Sequence, residues 1–129
     1  MINSGILNPR ILSLLARIRH TNALVIADRG FPFWPQIETV DISLVDDVPT
    51  VLQALAAVRA NHHFTQAYMA NEFLKNNYQK TQQKFRVALR GVAVKFEPHM
   101  AFKQRVPEAI GLIRTGDTTQ YGNVILISG

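Results

Sequence analysis

Cysteine is absent from this 129-residue chain, which removes disulfides, zinc–thiolate sites, iron–sulfur ligation and thiol nucleophiles as a basis for its structure or chemistry. The glycine patterns that cradle phosphates are missing too. No Gly-x-Gly-x-x-Gly follows an apolar run, and neither a Walker loop nor a Gly-x-Ser-x-Gly elbow occurs, so nucleotide-dependent chemistry is disfavoured. No apolar stretch approaches the roughly 18–20 residues of a membrane span; the longest, such as Ala23-Leu24-Val25-Ile26-Ala27, are strand-sized. Met1-Ile2-Asn3-Ser4-Gly5 lacks the basic start of a secretory signal. These absences together lead to the expectation of a soluble cytoplasmic protein without membrane partners. Internal repeats, low-complexity tracts and linkers are also lacking, so residues 1–129 read as a single domain.

What is present is a globular composition, 47% hydrophobic and 18% charged, enough for a core that buries about two-thirds of the unfolded surface. Asn8-Pro9 opens a segment with Ile11, Leu14, Leu15 and Ile18 at helical spacing, which predicts a helix over 9–19. Residues 24–27 form a short continuous apolar run suited to a strand buried on both faces. Phe31-Pro32-Phe33-Trp34-Pro35 then reads as a rigid aromatic loop. The pattern continues with a strand at 40–44, a helix starting at Pro49, a strand at 64–70 and a polar helix at 77–89. A strand at 92–96, a short helix from Pro98 to Arg105, and closing strands at 110–113 and 124–127 complete it. Strands alternating with helices predict a three-layer α/β/α domain around a largely parallel sheet.

Ligands of open α/β sheets bind outside the carboxyl ends of the strands, and Asp28 directly follows the first strand. The short Thr21-Asn22 turn suggests that His20 stays close to the same layer, where the carboxylate would orient the imidazole and favour its charged form. The plainer reading is a solvated helix end and a turn-forming aspartate. A second group, His99, Lys103, Tyr121 and Asn123, offers imidazole, ammonium, phenol and amide groups suited to a neutral polyol such as a sugar, or serves as ordinary turn residues. His20, His99 and Asp28 have metal-ligand chemistry, but no His-x-x-x-His spacing supports a metal site, and none is expected. Residues 75–105 hold eight basic side chains against Glu97 alone, with aromatics interleaved. Such a run is usually a solvated helix face, and no nucleic-acid fingerprint accompanies it, so nucleic acid is not the expected partner. Trp34 is a candidate interface anchor.

Taken in order, Gly5-Ile6-Leu7-Asn8, Arg19-His20-Thr21-Asn22, Asp28-Arg29-Gly30-Phe31-Pro32, Val40-Asp41-Ile42, Val48-Pro49, Pro98-His99 with Phe102-Lys103, Ile113-Arg114-Thr115-Gly116-Asp117 and Tyr121-Gly122-Asn123 resemble the D-ribose pyranase / L-fucose mutarotase family, over nearly the whole chain. The resemblance implies a cofactor-free isomerase that interconverts cyclic forms of a free monosaccharide, here β-D-ribopyranose and β-D-ribofuranose, with L-fucose as the alternative sugar and a non-catalytic sugar-binding protein as the alternative role. It further implies a homodecamer of two pentameric rings with sites near subunit contacts. His20 corresponds to the family's proton donor, and Asp28, His99, Tyr121 and Asn123 to its sugar-binding set, with Lys103 and Arg114 at further matching positions. Asp28 is expected both to orient His20 and to bind the sugar. Two positions depart from the family pattern: Arg19 stands where glycine is usual, and Arg29 where a small residue is usual. Their guanidinium groups are candidate attractors of an anionic ligand such as a sugar phosphate.

Overall fold

The first two helices start where the sequence supplies caps. In the computed structural model, which describes residues 1–129, the Asn8 side chain accepts the N–H groups of Arg10 and Ile11, and Pro9 opens helix α1 (Pro9–Arg17). The helix stops two residues short of the expected end, because Ile18 turns into extended backbone while remaining buried. Next come β1 (Ala23–Ala27), β2 (Glu38–Asp41), α2 (Val51–Asn61), β3 (Phe64–Ala70), α3 (Asn71–Asn76), α4 (Gln79–Ala88), β4 (Ala93–Glu97) and α5 (His99–Arg105). A 3-10 turn (Val106–Glu108), β5 (Gly111–Arg114) and β6 (Val124–Ser128) complete the chain.

Two expected elements move for identifiable reasons. The strand expected at 40–44 is found at 38–41, since the Asp41 carboxylate takes the Ser43 N–H in an Asx turn that ends the ladder. The second helix begins at Val51 instead of Pro49, set by a capping box in which Thr50 and Gln53 exchange side-chain-to-backbone hydrogen bonds.

The sheet has the order β2-β5-β1-β6-β3-β4. All strands are parallel except β6, which pairs antiparallel with β1 on one side and β3 on the other. Along the central strands the side chains alternate between two cores. Leu24, Ile26, Ile113, Val124 and Leu126 face α1, α2 and α4; Val25, Ala27, Leu112 and Ile125 face α5, the 3-10 turn and the Phe31–Trp34 loop. Burial on both faces is why these strands read as unbroken apolar runs, each large side chain contributing about 1.5–3 kcal/mol. The result is the expected three-layer α/β/α domain, thinner on the α5 face. Gly111 brings α1 close: a Cβ there would stand 2.6 Å from a Leu14 methyl. No helix is long and apolar enough to cross a membrane.

Candidate active site

The position of β6 creates the site. Strands β5 and β6 flank β1 and run in opposite directions, so the connection between them, residues 115–123, must pass over the carboxyl end of β1, spanning two strand spacings or about 10 Å. It is pinned there by Thr115, whose N–H and hydroxyl both donate to the Ala27 carbonyl at 2.9 and 2.8 Å. Farther along, the Arg29 N–H donates to the Asp117 carbonyl at 3.0 Å. The Asp28 N–H donates to Asn123 Oδ1 at 2.7 Å, and Arg114 Nη1 donates to the carbonyls of Asp28 and Arg29. Gly116 lets this connection lie against the backbone of Val45 and Val48, where a Cβ would collide. Between the connection, the Asp28–Pro32 turn and His99 lies a cavity of about 490 Å³, lined mainly by polar groups and including Asp117, Thr118, Thr119, Gln120, Tyr121 and Asn123.

Its electrostatics follow from burial. The Asp28 carboxyl is pushed above its ordinary range by desolvation, against the opposing effect of hydrogen bonds from the Gly30 N–H and the Asn123 side chain. His99 shifts the other way. Burial and the neighbouring Lys103 ammonium lower its pKa, more than Glu72 and Asp28 raise it. Asp117, 2% exposed, is fully engaged: Oδ2 accepts the Val51 N–H that opens α2, and Oδ1 accepts the Thr119 N–H, both at 2.7 Å. Tyr121 sits in left-handed backbone at φ 55°, with its ring nearly perpendicular to that of His99. Arg29 reaches the cavity rim and pairs with Asp46 at 2.8 Å. No three histidine or carboxylate side chains gather as a metal ion would require.

Four of the six residues anticipated from the sequence, Asp28, His99, Tyr121 and Asn123, meet in this cavity. Two do not. His20 is exposed in the turn that precedes β1, while Asp28 follows β1, so the whole length of the strand, about 17 Å, separates them. The expected contact between the two is therefore not made within one chain: a turn of two residues keeps His20 near the sheet, but at the amino end of β1. Lys103, one turn along α5 from His99, is close enough to act on that imidazole, yet it lines a separate open groove with Trp34, Met100, Gln104 and Pro107. Arg19 stays with His20 before the amino end of β1, so only Arg29 of the two unusual arginines stands at the cavity.

Comparison with known proteins is consistent with this geometry. The whole chain, residues 1–129, matches the RbsD / FucU transport protein family. The chain belongs to that family. A D-ribose pyranase of Chromobacterium violaceum is 40% identical over the whole of this chain and 98% of its own length, and one of Geobacillus kaustophilus is 39% identical over 94% of its length. The solved structure of Bacillus subtilis RbsD complexed with D-ribose superposes with a TM-score of 0.93 at 29% identity, covering 100% of this chain and 98% of the other. The fucose mutarotase of Streptococcus pneumoniae, in complex with L-fucose, has the same fold at a TM-score of 0.80, 19% identity, 95% of this chain and 92% of the other.

Within this RbsD / FucU fold, sequence reasoning missed Asp117 and the Thr118–Gln120 wall. The signal was available: Asp117 lies just past the apolar run Leu112-Ile113, at a strand's carboxyl end, by the same rule that selected Asp28. Trp34 packs into the α5-side core with Phe31, and its indole Nε1 is buried without a hydrogen-bond partner.

Proposed function

We propose that the chain is a D-ribose pyranase, converting β-D-ribopyranose to β-D-ribofuranose through the open aldehyde. The observation that carries this is the polar cavity at the end of β1, where Asp28, His99, Tyr121 and Asn123 converge in a chain that superposes at a TM-score of 0.93 on a D-ribose complex. Ring opening removes the proton of the anomeric hydroxyl, breaks the bond from the anomeric carbon to the ring oxygen, and protonates that oxygen; closure through a different hydroxyl reverses the three changes. One acceptor and one donor of protons suffice. Asp28, half-buried in the cavity lining and hydrogen-bonded to Gly30 and Asn123, is placed to bind a sugar hydroxyl and accept its proton. His20 is the proton donor and comes from a neighbouring copy, because the length of β1 separates it from the cavity of its own chain. That arrangement needs an assembly with sites at subunit contacts, which we take to be a decamer of two pentameric rings in the cytoplasm. Lys103 acts from outside the cavity, through its charge on His99.

The test is saturation-transfer NMR of the ring forms of D-ribose and of L-fucose, with and without protein. Faster pyranose–furanose exchange of ribose supports the proposal, and faster exchange of fucose alone transfers it to a fucose mutarotase. Thermal stabilisation by ribose without faster exchange would leave a sugar-binding protein. Mixing two inactive variants, His20→Ala and Asp28→Asn, after dissociation tests the composite site: mixed assemblies regain exchange only if the two residues act across a subunit contact.

A further inference from the structure

His99 opens α5 with its ring clamped on three sides. Phe102 lies parallel to it at a centroid distance of 6.0 Å and 15°, while the rings of Phe31 and Tyr121 stand nearly perpendicular to it at 6.2 and 5.0 Å. Its backbone N–H donates to both oxygens of the Glu72 carboxylate, at 3.0 and 3.2 Å, which fixes the start of α5. The two ring nitrogens have unlike surroundings. Nδ1 is sealed in protein with no hydrogen-bond partner, which leaves only Nε2 to face the cavity that His99 lines.

A neutral imidazole carries one N–H and one lone pair, and which nitrogen holds the proton is set by what surrounds each. A buried N–H with no acceptor is among the rarest arrangements in folded proteins, whereas an unused acceptor is better tolerated. The proton is therefore disfavoured on Nδ1. An imidazolium would put a proton there as well, adding the cost of burying a charge. We infer that His99 is held as the neutral imidazole with its proton on Nε2, so that it gives a hydrogen bond to an oxygen of the sugar and takes no proton from it.

The identity of the ligand rests on the monosaccharide reading above; the state of the ring does not. Lys103 on α5, Glu72 on α3 and Asp28 beyond β1 are the charged groups that bear on this imidazole, and Tyr121 is the remaining titratable side chain against it. Burial and Lys103 together outweigh the two carboxylates. The cavity wall then divides its work: His99 donates, Asp28 accepts, and a bound hydroxyl lying between them is fixed in direction. Proton removal falls to Asp28, and His99 sets orientation.

The experiment is NMR of the ring nitrogens in protein labelled with 15N-histidine, without sugar, across about pH 6–8, where an unperturbed histidine titrates. The His99 signals are assigned by their loss in His99→Gln. An unprotonated Nδ1 and a protonated Nε2, constant over that range, are expected. A proton on Nδ1, or imidazolium signals at neutral pH, would overturn the inference whether or not ribose is the substrate. A second arm uses side-chain geometry: His99→Gln puts an amide N–H near the place of Nε2–H, and His99→Asn puts one near Nδ1. Ribose exchange within about tenfold of wild type is expected for the Gln variant and a larger loss for the Asn variant, one neutral hydrogen bond corresponding to about a tenfold effect. The opposite order would refute the assignment of the donor to Nε2.

Discussion

Asp117 joins two parts of the molecule that the sequence keeps 66 residues apart. Its carboxylate accepts the Val51 N–H at the start of α2 and the Thr119 N–H in the cavity wall, both at 2.7 Å, and is 2% exposed. Truncation by Asp117→Ala leaves the buried Val51 N–H without its acceptor and removes the Thr119 N–H from the carboxylate that holds it. A hydrogen bond to a charged acceptor contributes about 1.5–3 kcal/mol, so losing two should cost about 3–6 kcal/mol. At this chain length 1 kcal/mol moves Tm by about 3–4 °C, so the variant should melt about 10–20 °C below wild type. Asp117→Asn keeps one acceptor oxygen and turns an NH2 toward the other donor, so its loss should be smaller but still about 2–3 kcal/mol. Urea unfolding followed by circular dichroism, at one fixed protein concentration because assembly adds apparent stability, measures both. Ribose affinity should fall with stability, since the same carboxylate holds the 117–121 wall. An Asp117→Ala protein within about 1 kcal/mol of wild type would mean that the carboxylate does not support these two N–H groups, and the account of the wall would be wrong.

His20→Ala should lower the ribose exchange rate by about 10²–10⁴ with an unchanged circular dichroism spectrum, because the side chain is exposed and outside the core; undiminished exchange would remove it from the reaction. Burial raises the Asp28 carboxyl above its ordinary 3.8, so the folded state holds that proton more tightly than the unfolded chain. The resulting stability is fully present below the unfolded value and is lost as pH rises through the folded one. Asp28→Asn should therefore unfold at higher urea than wild type at neutral pH, with the gap closing in acid; a gap that grows on acidification contradicts the assignment. Gly116→Ala forces a methyl into the backbone of Val45 and Val48 and should cost about 1–3 kcal/mol by overpacking, read from the urea midpoint. Light scattering should give a multiple of the 14.5 kDa chain mass, and a monomer would remove the basis for a composite site.

The sequence announced the elements whose causes are local. Strand β3 was read at its observed limits, 64–70, and β1 and α1 were marked by an apolar run and by the Asn8-Pro9 cap. Helix α3 went unread because nothing local announces it. It has six residues, no side-chain cap, and follows β3 with no intervening loop, so it is held by tertiary burial of Phe73 and not by propensity. For the site, residue chemistry was legible and position was not. Asp28, Tyr121 and Asn123 could be found because each borders a strand. The separation of His20 from Asp28 follows from the run 24–27, which stands between them as a strand and sets them at its opposite ends, so the expected contact conflicts with the strand read from the same sequence. Asp117 could be found by the strand-end rule, but its function as a cap for α2 depends on a pairing between distant segments that periodicity does not show.

Strand β6 is central in the sheet although it is the last of the six in sequence, and this sets an order of assembly. Until residues 124–128 are in place, the group β2-β5-β1 and the pair β3-β4 have no ladder between them, and β1 and β3 each present an open edge of the kind that recruits foreign strands. Closure by β6 joins the two parts, covers both edges and brings Asn123 to the Asp28 backbone in one event. The nascent chain is accordingly exposed to aggregation until its final strand docks, and sugar-binding competence arrives together with the completed sheet.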